Sequence, residues 1–186
     1  SGLDIIPFSY SILEGRDVTG PLTALMTAEA ANRVLINSDS EAFVNDVVRN
    51  LNILLHRKLN IILYAPSRIR GYETIEVENL HNASTHVSLA YYIDYEDQRV
   101  KNFLLKYRAL FGTEPTQFSF QGYDLASYFI DLCCKYGNGW KEMLEESDRS
   151  MLQSTFRYKK SDNGGYVNHG TRRIVYGKDW EVTKVR

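Results

Sequence analysis

Polar side chains follow two short apolar runs of the sequence and flank a third, and these positions are the best suited to bind a ligand. Hydroxyl, carboxylate and amide groups placed there can hold a polar small molecule without any reaction. In an open parallel sheet, ligands bind beyond the carboxyl ends of the strands, where loops meet helix N-termini. The three places are Ser38-Asp39-Ser40 after RVLIN, Ala65-Pro66-Ser67-Arg68 after NIILY, and Phe120, Gln121 and Tyr123 around a Phe-rich run.

Strands that alternate with helices are predicted to position these turns. A helix over Glu41–Lys58 carries one apolar stripe, made of Phe43, Val44, Val47, Val48, Leu51, Leu54 and Leu55. The sequence further predicts an extended segment over Asp4–Ser11, a short helix over Leu22–Ala31, and strands over Arg33–Asn37, Asn60–Tyr64 and His86–Tyr92. This alternation favours an α/β fold with a mostly parallel sheet and helices on both faces.

The next part of the chain is predicted to form two packed helices. The first has an apolar stripe from Val100 to Phe111 and ends at Gly112, since glycine readily adopts the left-handed conformation of a helix C-terminus. A short Phe-rich strand should follow, and then a helix that opens on Gly122-Tyr123-Asp124 and ends at Gly137. Its buried face is expected to hold Leu125, Ala126, Phe129, Ile130 and Cys133.

Beyond these helices the sequence predicts a change to antiparallel strands. A short acidic helix over Trp140–Ser147 precedes strands over Leu152–Tyr158 and 172–185, with a turn at Asn163-Gly164-Gly165. We therefore expect an α/β lobe over residues 1–150, and C-terminal antiparallel strands over 151–186 packed on the same lobe.

The stretch from Arg99 to Gly137 resembles the type I periplasmic binding fold. In that family, which includes the leucine and branched-chain amino-acid binding proteins, a phrase of the form F…Y…FG..P….GYD lies in the second lobe. The same pattern occurs here as RVKNFLLKYRALFG followed by TEPTQFSFQGYD. The resemblance extends more weakly from Asp4 to Arg186 and implies the second lobe of a two-lobed receptor with its C-terminal return strands.

This resemblance also implies a site and a function. Loops at the three places above supply ligand contacts in the family, which selects Ser38, Asp39, Ser67, Gln121 and Tyr123 as ligand-binding residues. The implied partners are an amino acid or similar small molecule, the missing first lobe of the same polypeptide and a peptidoglycan-associated module. The implied role is ligand recognition by closure about a hinge, in the periplasm or cell envelope, with no catalysis and no cofactor.

Each candidate residue also has a structural explanation, which the sequence leaves open. Ser38 and Glu41 have the spacing of a capping box, and Asp39 or Ser40 could cap the same helix. In Gly122-Tyr123-Asp124, the tyrosine would pack and the aspartate would cap. The amino-acid receptors typically have a Gly-Gly-Tyr-like turn and then a carboxylate at the first two places. Here those turns are Asn-Ser-Asp and Ala-Pro-Ser, so Asp39 would have to supply the carboxylate.

Two other classes of function are weighed against the receptor. The first is a structural or interaction module that has lost its ligand and forms a homodimer through the surface between the lobes. The second is an enzyme that uses Cys133 with a histidine. His56, His81, His86 and His169 are scattered without a metal-binding or catalytic motif, and Cys133 is expected to be a buried, free and unreactive thiol, like Cys134.

Composition narrows these classes further. Of 186 residues, 44% are hydrophobic, which is enough for a core, and the net charge of −1 gives no electrostatic case for nucleic-acid binding. No run of about 18 apolar residues occurs, so no transmembrane segment is expected in this chain. The opening Ser1-Gly2 pair is typical of a remnant of tag removal, which predicts an excised fragment.

Overall fold

The computed structural model of the chain describes residues 5–185, so the Ser1-Gly2 pair and the start of the extended segment at Asp4 lie outside the described residues. The chain divides into two compact units. Unit one consists of Ser1–Ser88 and Arg173–Arg186, and unit two consists of Leu89–Arg172. The boundary expected between residues 150 and 151 falls inside unit two.

The fold is α/β, with a mixed, mostly parallel sheet and C-terminal antiparallel strands, as the sequence predicts. In chain order the helices and strands are α1 (Thr19–Ala24), β1 (Asn32–Leu35), α2 (Glu41–His56), β2 (Ile61–Ala65), α3 (Val77–Asn82), β3 (His86–Leu89), α4 (Gln98–Phe111), α5 (Gln117–Tyr136), β4 (Arg149–Ser150), β5 (Thr155–Phe156), β6 (Tyr158–Lys160), β7 (Tyr166–Asn168), β8 (Arg172–Tyr176) and β9 (Val182–Val185).

The five-stranded sheet has the order β1-β2-β3-β8-β9. β1 is parallel to β2, with Leu35 opposite Tyr64, and β2 is parallel to β3, with Tyr64 opposite His86. The prediction that these three strands are neighbours in one parallel sheet is therefore confirmed. β8 and β9 form an antiparallel hairpin, with Arg173 opposite Val185, whereas the predicted turn at Asn163-Gly164-Gly165 joins β6 to β7.

Helix α2 supplies much of the core of unit one. Most of its predicted apolar stripe is buried, with Phe43 and Leu55 half-buried, and Val44, Val48, Leu51 and Leu54 are completely inaccessible to solvent. The helix begins at the N-cap Ser40, whose hydroxyl accepts a hydrogen bond from the Phe43 N–H. Beside Phe43 of this helix, Tyr10 donates a hydrogen bond of 2.8 Å to the carboxylate of Asp46. Burial, followed by this bond and the negative charge of Asp46, raises the pKa of Tyr10.

Unit two is built on helices α4 and α5 and two antiparallel ribbons, β4-β5 and β6-β7. Helix α4 ends at Gly112 with φ of 66°, as its sequence predicts, and the turn between β6 and β7 places Gly164 at φ of 83°. Two hydrophobic clusters form its core. One contains Tyr128, Leu132, Leu144 and Phe156, and the other contains Val100, Phe120 and Leu152.

The expected Phe-rich strand is wrong, because its residues belong to the first turn of α5. This helix begins at Gln117 after the N-cap Thr116, whose N–H donates to Ser119 Oγ at 3.2 Å. This capping arrangement starts a helix where the aromatic run alone favoured a strand. Asp124 is consequently not a cap but a buried residue in the second turn of the helix.

The buried face of α5 also differs from the prediction. Its fully buried residues are four apart, namely Phe120, Asp124, Tyr128 and Leu132. Leu125, Ala126, Ile130 and Cys133 are exposed instead, and Phe129 is half-buried. Helix α5 has apolar residues around most of its circumference, so the sequence did not determine which side faces the core. The helix expected over Trp140–Ser147 is replaced by turns, with a short 3-10 segment at Leu144–Glu146.

Candidate functional site

The turns after β1 and β2 lie at the same edge of the sheet, because the two strands are parallel neighbours. The first turn contains Ser38 and Asp39, and the second contains Ser67 and Arg68. A guanidinium nitrogen of Arg68 lies 3.7 Å from a carboxylate oxygen of Asp39. Both side chains are 68% exposed, so this edge presents two opposite charges side by side to solvent.

The two serines around Asp39 have structural roles, whereas the Asp39 carboxylate does not cap the helix. Ser40 caps α2 through the Phe43 N–H at 3.4 Å, and the Ser38 hydroxyl accepts a hydrogen bond of 3.2 Å from the Ser40 N–H. Of the capping alternatives left open by the sequence, Ser40 is therefore the cap. The carboxylate of Asp39 instead contacts the guanidinium of Arg68.

The backbone at Asp39 is fixed by a neighbouring loop. Tyr72 donates a hydrogen bond of 2.9 Å to the Asp39 carbonyl. One carboxylate oxygen of Glu41 accepts three bonds of 2.9 Å, from the N–H of Glu73 and from the N–H and hydroxyl of Thr74. These bonds, led by the one from the Thr74 N–H, lower the pKa of Glu41, so Glu41 stays ionised and anchors the loop. The expected capping role of Glu41 is replaced by this anchoring role.

The turn after β2 is anchored to the core by a buried side chain. Ser67 begins a 3-10 segment, Ser67–Gly71, in which Ile69 is only 2% exposed and pins the turn to the core. Ser67 itself is exposed. Sequence reasoning did not select Arg68 from this turn. The available signal was a basic side chain placed three residues after the apolar run of β2, opposite the acidic turn after β1.

Gln121 and Tyr123 belong to unit two and do not follow a strand. Both are exposed residues of α5, so the rule about strand ends does not apply to them, and only the family resemblance selects them. The Tyr123 ring is 47% exposed and lies 4.9 Å from the Phe103 ring. It lines an open groove of about 500 Å³ whose other residues are Arg99, Asn102, Phe103, Lys106, Tyr107, Leu110, Phe111, Met151 and Leu152.

A buried polar network holds the segment 150–154 in unit two. The Asp124 carboxylate accepts hydrogen bonds of 2.9 Å from the N–H groups of Leu152, Gln153 and Ser154. Arg172 is 4% exposed and donates to backbone carbonyl oxygens of the same segment, among them Ser154 at 2.7 Å. Burial lowers the pKa of Arg172, and the nearby charge of Asp124 opposes this effect. The Asp124 carboxylate and the Arg172 guanidinium are buried and hydrogen-bonded to backbone groups. Their role is therefore to hold the conformation of the segment 150–154.

The chemistry of the remaining candidate residues is limited. Cys133 and Cys134 are free, but both are exposed, so the expectation that Cys133 is buried is wrong. It fails because the side of α5 that carries Cys133 is uncovered.

Within residues 5–185, no group of three or more His, Cys, Asp or Glu side chains could hold a metal ion. In the same part of the chain, no helix is long and apolar enough to cross a membrane.

Comparison with solved structures identifies the fold. The chain is similar to an ABC transporter substrate-binding protein from Desulfitobacterium hafniense in complex with Leu, with a TM-score of 0.52 and 11% sequence identity, over 96% of this chain and 49% of that chain. It is also similar to a branched chain amino acid ABC transporter periplasmic ligand-binding protein from Burkholderia xenovorans, with a TM-score of 0.51 and 12% identity, over 91% of this chain and 47% of that chain.

The chain thus spans about half the length of these two structural neighbours. Its fold is part of the type I periplasmic binding fold, which confirms the family resemblance at the level of structure. No protein-family model matches the sequence, and no curated protein matches it either.

Proposed function

We propose that this chain is part of a receptor that recognises a small molecule outside the cytoplasm and catalyses no reaction. The observation that carries the proposal is the exposed pair of Asp39 and Arg68 at the carboxyl edge of β1 and β2. Ligands of open α/β sheets bind at this edge. The similarity in fold to substrate-binding proteins of ABC transporters supports the same role and an extracytoplasmic location.

The chemistry of the pair favours a zwitterionic ligand such as an amino acid. Asp39 would bind an ammonium group, and Arg68 would bind a carboxylate in a bidentate manner. Exposed ion pairs contribute little stability, so a ligand can replace the contact between the two side chains at low cost. The hydroxyl of Ser67 would add a hydrogen bond from the same edge. That one of the structural neighbours is in complex with Leu is consistent with this class of ligand.

Isothermal titration calorimetry with L-leucine and other L-amino acids tests the proposal. The 186-residue chain supplies one side of a cleft and so should bind in the millimolar range or more weakly, which corresponds to about −4 kcal/mol. A polypeptide that also contains a first lobe should bind far more tightly. In that longer protein, Asp39→Ala and Arg68→Ala should each weaken binding by about tenfold or more, with the free energy of unfolding changed by less than about 1 kcal/mol.

Asp131→Ala is the matched control, because Asp131 is also an exposed aspartate paired with an arginine. It should leave the affinity unchanged. Gln121→Ala and Tyr123→Ala examine the two candidates that lie on α5. If a ligand is found whose affinity is indifferent to Asp39→Ala, Arg68→Ala and Tyr123→Ala alike, the site is elsewhere. If no amino acid binds the longer protein, the proposed ligand class is wrong.

A further inference from the structure

The open groove beside Tyr123, which we call the α4 groove, runs along one side of helix α4 within unit two. Its volume of about 500 Å³ lies within the range of small-molecule sites. Asp39 and Arg68 belong to unit one, so the groove shares no residue with that pair. The residues that α4 contributes repeat at helical spacing and are Arg99, Asn102, Phe103, Lys106, Tyr107, Leu110 and Phe111.

Four aromatic rings form a continuous row along the α4 groove. From Tyr123 the row passes to Phe103, then to Tyr107 and Phe111, and the successive ring centroids lie 4.9, 5.7 and 4.6 Å apart. These separations are typical of interacting aromatic pairs. Tyr123 and Phe111, at the two ends of the row, are 47% and 64% exposed. The row therefore presents aromatic surface to solvent, on which a flat apolar group can stack.

The rings at the middle of the row are held in place by their neighbours. The Phe103 ring packs 4.7 Å from that of Phe120, which is only 1% exposed. The Ser119 hydroxyl donates a hydrogen bond of 3.1 Å to the Tyr107 hydroxyl. A surface that is fixed before binding loses less conformational entropy when a ligand arrives.

The charge of the α4 groove is positive. None of the described residues that line it is Asp or Glu, whereas Arg99 and Lys106 both line it. The Arg99 guanidinium is already occupied, because it donates to the Asp97 carboxylate at 2.7 Å and to the Ser150 carbonyl at 3.2 Å. Lys106 is exposed, and no carboxylate within residues 5–185 pairs with it. Its ammonium group is therefore available to an anion.

We propose that the α4 groove binds a small aromatic carboxylate, with the aromatic body stacked on the row of rings and the carboxylate bound by the ammonium group of Lys106. A charge-assisted hydrogen bond fixes the carboxylate, and stacking on the rings favours a flat body over a flexible chain. This site goes beyond the proposed recognition of a ligand at Asp39 and Arg68 and does not depend on it. The two sites can therefore succeed or fail separately.

Titration of the isotope-labelled 186-residue chain with 2-naphthoate, followed by NMR, tests this site. The amide signals of α4 and of residues 150–154 should shift in a saturable manner, because Met151 and Leu152 form the wall opposite α4. Octanoate has the carboxylate but a flexible chain, and 2-naphthalenemethanol has the same rings but no charge. Each should bind at least about fivefold more weakly than 2-naphthoate.

Matched variants locate the binding within the groove. Lys106→Gln should weaken the binding of 2-naphthoate by at least about fivefold, and Phe111→Ala by at least about threefold. The controls are Lys159→Gln, on an exposed lysine of β6, and Phe118→Ala, at a phenylalanine whose 69% exposure is close to that of Phe111. Neither control residue lines the groove, so neither should change the affinity. Asp39→Ala should also leave it unchanged, which separates this site from the proposed amino-acid site.

Three results would overturn the proposal. The first is an absence of saturable shifts in α4, or shifts confined to residues outside the groove. The second is an affinity for 2-naphthoate that is indifferent to both Lys106→Gln and Phe111→Ala. The third is an equal affinity for 2-naphthalenemethanol or for octanoate, which would show that the carboxylate or the aromatic body is not recognised.

Discussion

Replacing Asp124 with asparagine should strongly destabilise unit two, although the two side chains have nearly the same shape. One carboxylate oxygen accepts the Leu152 N–H, and the other accepts the N–H groups of Gln153 and Ser154, all at 2.9 Å. Asparagine has only one acceptor oxygen. In its better orientation the amide nitrogen faces the Leu152 N–H, so one buried donor loses its partner.

The expected loss of stability follows from the three hydrogen bonds to the Asp124 carboxylate. A buried hydrogen bond to a charged group contributes about 1.5–3 kcal/mol. The two bonds that remain change from charge-assisted to neutral, which weakens each by about 1 kcal/mol. Asp124→Asn should therefore lower the free energy of unfolding of unit two by about 3–5 kcal/mol.

Urea unfolding followed by tryptophan fluorescence measures this loss in the correct unit. The chain has two tryptophans, Trp140 in unit two and Trp180 in unit one. A Trp180→Phe background leaves Trp140 as the only reporter, and its ring packs 5.6 Å from that of Phe129 on α5.

The matched control is Asp131→Asn on the same helix. The Asp131 side chain is 65% exposed and is paired with Arg149 at 2.6 Å. An exposed pair of this kind contributes about 0–1 kcal/mol, so the control should have little effect. If Asp124→Asn also costs less than about 1 kcal/mol, the carboxylate does not hold the segment 150–154, and the reasoning is refuted.

Three further predictions concern the core, the pH dependence and the thiols. Leu51→Ala should cost about 2–5 kcal/mol, and Ile53→Ala, on the exposed side of α2, less than about 1; a loss below about 0.5 for Leu51→Ala in urea unfolding would mean that α2 does not pack as described. Because the pKa of Tyr10 is raised in the folded state, its contribution to stability is complete below pH about 10, its unfolded pKa, and is lost as the pH rises further. Tyr10→Phe should therefore make the loss of stability above pH 10 less steep in unfolding curves, and an unchanged slope would contradict this. Cys133 and Cys134 should both react with a thiol reagent in the native 186-residue chain, and protection of both would contradict their exposure.

The sequence by itself determined the helices and strands whose pattern of apolar residues is compatible with a single arrangement. Helix α2 has a single apolar stripe, and RVLIN and NIILY are short apolar runs on either side of it. A helix that connects two neighbouring strands of one sheet makes those strands parallel, so their direction followed. The same arrangement places the turns around Asp39 and Ser67 at the carboxyl ends of the two strands.

The sequence could not determine the orientation of α5 or the start of that helix. Apolar residues lie on both of its sides, and a run such as FSF fits either a strand or a helical turn until the capping at Thr116 is known. Packing of Tyr128 and Leu132 against Leu144 and Phe156 decides which side is buried. These partners come from distant positions in the chain, which a local pattern does not contain.

Only the tertiary structure decided the composition of the candidate site. The sequence predicts Asp39 through its position after a strand, but the pairing of Asp39 with Arg68 depends on the register of β1 against β2. Likewise, the roles of Glu41 and Asp124 depend on loops more than 25 residues away in the chain. A carboxylate beside a helix start looks the same in sequence whether it caps that helix, anchors a distant loop or faces a ligand, because the partner that distinguishes these roles is brought to it only by folding.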